Sequence, residues 1–343
     1  MAEQAKRRQR TWSAFGEVRR MPTEYEIVSH GTNWTLRDGR KAPLEQNPSS
    51  PANMWFRTYR DQSPLSVEDW SGFRDPDALT YRKYVAMQDG QESAVAGALD
   101  KYSDAGHDKT LQSGWVSTLQ LLFSATRFPL HGCQQIEAYI ALMAPSSYIT
   151  NAATFATADL LRRVSLVAYR TTELGIARTD QGFGQAERGL WETHEAWQPA
   201  RELIETALVA YDFGEAFTAL NLVIAPTLDD LLLRQLRDTA QAAGDQLTWL
   251  LLGYLTADSE RRARWSAAVA QYAVTHRAAN AAVLDKWTAK WGKRADAAAA
   301  GIAAALEDAG GQPAASAVAA AAAARAKLHQ DAGLQAGSLA AAQ

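Results

Sequence analysis

From residue 75 onward the chain presents long runs in which apolar residues return every three or four positions, and strand-like alternation is nearly absent after residue 60. The longest uninterrupted run is Tyr148–Leu174, where Phe155, Leu160, Leu161, Val164, Val167 and Ala168 give one apolar face and Arg162, Arg163, Arg170 and Glu173 supply polar positions. Further helices are expected over Ala78–Leu99, started by Asp75-Pro76-Asp77, and over Leu111–Ser124, with a break at Phe128-Pro129 before Ile136–Met143. Pro199–Tyr211 and Glu215–Ala243 follow, and Pro226 should kink or break the second. Leu247–Leu255 is a buried segment. Asp258-Ser259-Glu260 is expected to cap the next helix, and a last one carries Leu284, Trp287 and Trp291. Such a pattern fits an all-α bundle.

The two ends differ from this body. Residues 1–60 hold Pro22, Pro43, Pro48, Pro51 and several glycines, which no helical period survives, yet aromatic residues are scattered through them. This reads as an extended docking arm with Trp12, Phe15, Tyr25, Trp34, Trp55 and Phe56 as anchors, laid either on the chain's own helical body or on a partner subunit. The body is expected over 61–309. Residues 310–343, in a region where about half the positions are alanine, read as a low-complexity tail, loosely docked or frayed.

Composition narrows the function. A net charge of -3 argues against a nucleic-acid binder, although a basic start (Lys6, Arg7, Arg8, Arg10) leaves a helical adaptor with a nucleic-acid arm as one alternative. The single cysteine, Cys133, excludes an internal disulfide and fits a reducing, cytoplasmic setting. No apolar segment follows the basic start, and Phe217–Leu228 and Leu247–Leu255 fall short of the ~20 residues a bilayer requires, so no membrane association is expected.

Bundles of this size often hold two iron ions on Glu-x-x-His pairs, because residues i and i+3 share a helix face. Three residues before His30, His107, His131, His194, His276 and His329 stand Ile27, Asp104, Phe128, Trp191, Ala273 and Ala326, so no such pair exists. Asp104–His107 is best taken as a capping or surface pair. No phosphate loop, zinc-protease or nucleophile-elbow motif occurs. Glu137, Asp159, Asp212 and Glu215 lie among apolar or aromatic neighbours. Ion pairing is the main reading for them, and an all-carboxylate metal site in an independent enzyme is the alternative. No catalytic, metal or cofactor residue is assigned.

An ordered series of stretches resembles one family. It comprises Pro22-Thr-Glu-Tyr-Glu-Ile-Val-Ser29, Asp69-Trp70 with Phe73-Arg-Asp-Pro76, Leu79-Thr-Tyr-Arg82, Ala144-Pro-Ser-Ser-Tyr-Ile-Thr-Asn151, Ala168-Tyr-Arg-Thr171, Trp197-Gln-Pro199 and Asp212-Phe-Gly-Glu-Ala-Phe217. The set is similar to the β (small hydroxylase) subunit of the bacterial multicomponent monooxygenases, over roughly residues 10–280. The resemblance implies a ferritin-like bundle without metal ligands, packed against an α subunit that carries a di-iron centre, in an α2β2 or, with a γ subunit, α2β2γ2 hydroxylase. It also implies a coupling protein and an NADH-dependent reductase with FAD and [2Fe-2S]. Alanine-rich, arginine-over-lysine composition leans towards the alkene and propane branch, with an aromatic (toluene or phenol) monooxygenase as the alternative.

Overall fold

The computed structural model describes residues 21–34 and 49–334, and no strand occurs among them. Nine helices carry the argument: α1 Glu24–Ser29, α2 Pro51–Phe56, α3 Tyr81–Asp104, α4 Arg127–Met143, α5 Ser147–Ala177, α6 Phe213–Ala242, α7 Gln246–His276, α8 Asn280–Asp308 and α9 Ala314–Asp331. Helices α4 and α5 form an antiparallel pair joined at Ala144–Ser146, where the Ser146 side chain accepts from the Tyr148 N–H and caps α5. Helix α7 lies against α3, α5 and α6, while α8 and α9 cover the remaining sides of α6. Almost every residue of the first two-thirds of α6 is buried, so this helix is the axis of the core. Its apolar length would suffice to cross a membrane, but 94% of that stretch is buried inside the bundle, as expected of a core helix.

Several boundaries depart from the sequence reading. Helix α3 starts later than Asp75-Pro76-Asp77 suggests: Thr80 is its cap and accepts from the Lys83 N–H. Asp75 instead is buried in the preceding turn, where it accepts from the Asp77 N–H at 3.1 Å. Phe128-Pro129 does not break the chain. Pro129 falls in the first turn of α4, where its absent N–H has no helical partner to lose. Asp258-Ser259-Glu260 is no cap but the middle of the 31-residue α7, whose actual cap is Asp245, accepting from the Thr248 N–H at 2.9 Å. Helix α6 continues through Pro226, with π-helical turns at Thr218–Ile224 and Asp230–Gln235 on either side.

The segment read as a loosely docked or frayed tail forms, over Ala314–Asp331, a packed helix. Gly310 adopts φ 85° and ends α8, and the Gly311 N–H returns to the Leu306 carbonyl at 2.8 Å. A Cβ at Gly311 would stand 2.7 Å from that carbonyl and 2.9 Å from Thr239 Oγ1. The double glycine is therefore a tight reversal, and it lays α9 back along α6 with Ala317, Ala321 and Leu328 buried at helical spacing. Alanine buries little area by itself, but it lets two backbones approach closely. The expected tail beyond residue 334 lies outside the described residues.

Candidate functional site

The bundle interior is where a ferritin-like metal site would be sought, and here it is filled by ion pairs. One helical turn separates Cys133 from Glu137 on α4 and Asp159 from Arg163 on α5, so each pair shares a face. Helix α6 adds Asn221 and Asp229, and α7 adds Asp258, Arg261 and Arg262. Arg163 Nη1 lies 2.7 Å from Asp229 Oδ1, Arg262 pairs with the other carboxylate oxygen, and Ser259 Oγ donates to it at 2.7 Å. Burial alone would raise the Asp229 carboxyl, but the Arg262 and Arg163 charges outweigh it and hold the group below the usual carboxylate range.

A second layer lies towards α3. Arg261 bridges Asp159 and Asp258, Arg162 reaches Asp258 at 2.6 Å, and Gln88 Nε2 donates to Asp159 and Asp258 at 2.8 and 3.0 Å. Tyr84 Oη donates to Asp159 at 2.8 Å. Burial, followed by the neighbouring Asp258 charge, raises Asp159 despite Arg261.

Glu137 is different. It is fully buried, and neither of its carboxyl oxygens nor the adjacent Asn221 amide makes a hydrogen bond of ordinary length. Burial pushes its carboxyl up to about 8, with Arg262 and Asn221 pulling the other way. At neutral pH Glu137 is therefore mostly protonated, and Asp229 is the anion that Arg262 answers. Burial also pushes the Cys133 thiol up to about 12, so it behaves as a small core residue.

These residues do not fit a metal. Two guanidinium cations sit where a divalent ion would need anionic or neutral donors, and they already saturate Asp229. Among the described residues no three His, Cys, Asp or Glu side chains converge on one point. The four carboxylates singled out from sequence serve separate ends. Asp212 caps α6, accepting from Glu215 N–H at 3.1 Å and from Ser63 Oγ at 2.8 Å. Glu215 accepts from Lys290 Nζ at 2.5 Å and Trp291 Nε1 at 3.2 Å. His107 pairs not with Asp104 but with Asp245 at 3.0 Å.

The proposed anchors divide. Trp12 and Phe15 lie outside the described residues. Tyr25 is buried against Tyr148, with ring centroids 5.6 Å apart, and Phe56 is buried under Trp34. Both belong to the chain's own core. Trp34 and Trp55 keep 39% and 38% of their surface exposed. Trp55 Nε1 donates to Tyr139 Oη at 2.9 Å, and Tyr139 Oη donates to the Tyr211 carbonyl at 2.6 Å. Trp55, Tyr59 and Tyr211 form a triangle of ring contacts with centroids 4.6–5.6 Å apart. Exposed Met54, Leu208 and Val209 are chain neighbours of this cluster. Sequence reasoning singled out Trp55 but not Tyr139 of α4 or Tyr211 of the loop before α6, which the fold brings to it.

The family profile described as Methane/Phenol/Alkene Hydroxylase matches residues 55–277. The chain belongs to this family. It is 41% identical over 299 residues to the β subunit of the hydroxylase component of the toluene-4-monooxygenase system of Ectopseudomonas mendocina, covering 87% of this chain and 91% of that one. A solved structure of toluene 4-monooxygenase with toluene in its resting active site contains a chain that superposes with a TM-score of 0.82 at 40% identity, over 89% of this chain and all of that one. The small subunit of the propane 2-monooxygenase hydroxylase component from Gordonia sp. (strain TY-5) is 26% identical over 82% of this chain and 73% of its own length. The hydroxylase family, its small subunit and the helical fold are therefore shown. The leaning towards the alkene and propane branch is corrected, because the toluene-type relative is far more similar than the propane-type one. Overall composition misled here: it records a chain's general amino-acid economy, whereas branch is carried by position-by-position identity.

Proposed function

We propose that this chain is the scaffolding small subunit of an aromatic-hydrocarbon hydroxylase, of toluene or phenol type, in which the large (α) subunit holds a di-iron centre and inserts one oxygen atom of O2 into the ring. The 41% identity to the toluene-4-monooxygenase β subunit, running nearly end to end, carries this reading. The interior of the bundle supports the division of labour, since among the described residues the Arg163–Asp229–Arg262 set places guanidinium cations where iron ligands would be needed. A rigid neighbour of this kind fixes the helices of the catalytic subunit and so pre-organises its metal ligands. The assembly would be α2β2, or α2β2γ2 with a third subunit, served by a coupling protein and a reductase bearing FAD and [2Fe-2S].

Co-purification with the product of the neighbouring large-subunit reading frame tests this. Iron should track the large subunit, and the reconstituted system should oxidise toluene faster than propene. Near-stoichiometric iron in this chain alone, or preferential epoxidation of propene, would sink it.

The aromatic cluster around Trp55 is the surface we propose for the large subunit, because exposed Trp and Tyr in one patch are typical interface anchors. Trp55→Ala should weaken association with the large subunit by about 2 kcal/mol, roughly thirtyfold in Kd, while this chain stays folded. Titration calorimetry or co-elution measures it, and unchanged affinity would exclude the patch. Deleting residues 1–60 would be a poorer test, since it removes Tyr25 and Phe56 from the chain's own core.

A further inference from the structure

Pro226 lies inside α6 and has no N–H, so the Leu222 carbonyl, in the π-helical stretch just before it, has no donor at the α-helical position four residues on. A buried carbonyl left without a partner costs about as much as a lost hydrogen bond. The imidazole of His329, on α9, places Nε2 2.8 Å from that oxygen. A carbonyl only accepts, so the Nε2 proton makes this bond. Burial lowers the His329 pKa; the hydrogen bond to Leu222 acts against this and the Arg325 charge adds to it, so the ring stays neutral near pH 7.

Three more bonds join the two helices or the turn before α9. Gln235 Nε2 donates to the Ala317 carbonyl at 3.0 Å, Gln312 Nε2 donates to Gln235 Oε1 at 2.9 Å, and Arg325 Nη1 donates to Thr227 Oγ1 at 3.3 Å. Thr227 directly follows the proline, so two side chains of α9 hold α6 on either side of Pro226.

We propose that α9 is a built-in splint that lets α6 run through its proline: His329 supplies from outside the helix the donor that Pro226 cannot, and so holds the register of the π-helical stretch Thr218–Ile224 that presents Asn221 to the bundle interior. The splint goes beyond the scaffolding role, because it assigns a conformational task to the alanine-rich end of the chain.

Amide hydrogen exchange on the full-length chain, in the assembly it purifies with, tests the splint. His329→Leu keeps much of the volume and removes the donor. Exchange over residues 217–230 should quicken about tenfold, the size a lost buried hydrogen bond gives, with α3 unchanged. Pro226→Ala returns an N–H to the position four residues after Leu222. In that background His329→Leu should quicken exchange by about threefold or less. Wild-type exchange over 217–230 in His329→Leu, or an effect of equal size with and without Pro226, would overturn the proposal. If His329→Leu does not assemble, the Pro226→Ala/His329→Leu double variant should; equal failure of both would also overturn it.

Discussion

Asp229→Ala is expected to destabilise the chain by about 3–5 kcal/mol, the range for removing one partner of a buried ion pair. Asp229 answers two guanidinium groups, Arg163 and Arg262, both nearly inaccessible to solvent. Without it both cations remain buried with no facing anion of full charge, because Glu137 is mostly protonated near neutral pH. Chemical denaturation of variant and parent measures the difference. A loss below about 1 kcal/mol would mean that water reaches the arginines and that the interior is less dry than the structure places it. Two comparisons sharpen the result. Arg82→Ala, which removes an exposed pair with Glu24, should change stability by no more than about 1 kcal/mol. Replacing Asp229, Arg163 and Arg262 together by Leu and Met should cost less than Asp229→Ala alone, since no unpaired charge is then left in the core.

Glu137→Gln should do the opposite and stabilise the chain, by about 2–3 kcal/mol at pH 7. The sign follows from proton binding. The carboxyl titrates at about 8 in the folded chain, against 4.5 for an exposed glutamate, so the folded state holds a proton that the unfolded state releases. Above pH ~4.5 folding must therefore take up a proton, and stability falls as pH rises through 8, where the penalty levels off. Glutamine is the neutral isostere and takes up nothing. The variant should match the parent near pH 4.5, exceed it increasingly up to pH 8, and hold a constant advantage above that. Unfolding curves at pH 5, 7 and 8.5 suffice. A difference between variant and parent that does not change with pH would show that Glu137 is ionised in the folded chain, with Arg262 as its partner.

The helical body was legible because burial imposes its period on sequence. The run 148–174 lies inside α5, and Leu284, Trp287 and Trp291 lie buried on one face of α8. What failed was punctuation and polarity. Pro129 and Pro226 read as breaks, because local rules see the missing N–H but not the first-turn position or the His329 donor that compensates. Asp258 reads as a cap because acids favour helix starts, whereas its partners, Arg162 and Arg261, face it within the bundle. Arg163 and Arg170 read only as polar positions of the helix and are in fact buried, Arg163 on Asp229 and Arg170 between Asp108 and Glu173. An arginine at a core position looks like a surface residue until its carboxylate, tens of residues away, is known. The absence of Glu-x-x-His pairs was readable directly, and so was ion pairing as the use of Asp159 and Glu215, but not their partners, Arg261 and Lys290. Trp55 was legible as a candidate anchor, yet the half-exposed aromatic cluster it belongs to joins residues some 80 and 150 positions distant.

The two π-helical turns of α6 bear on how this chain is compared with others. A turn closed by i to i+5 bonds holds one residue more than an α turn, so each shifts the angular phase of everything after it. Thr218–Ile224 and Asp230–Gln235 flank Pro226, and the helix therefore has three successive phases rather than one. Aligning it residue for residue with a regular helix would match Asn221 to a core-facing position and then place Asp229 and everything beyond it on the wrong face. A correct comparison introduces a single-residue gap within each π turn, in the middle of a helix, where alignment penalties most discourage one.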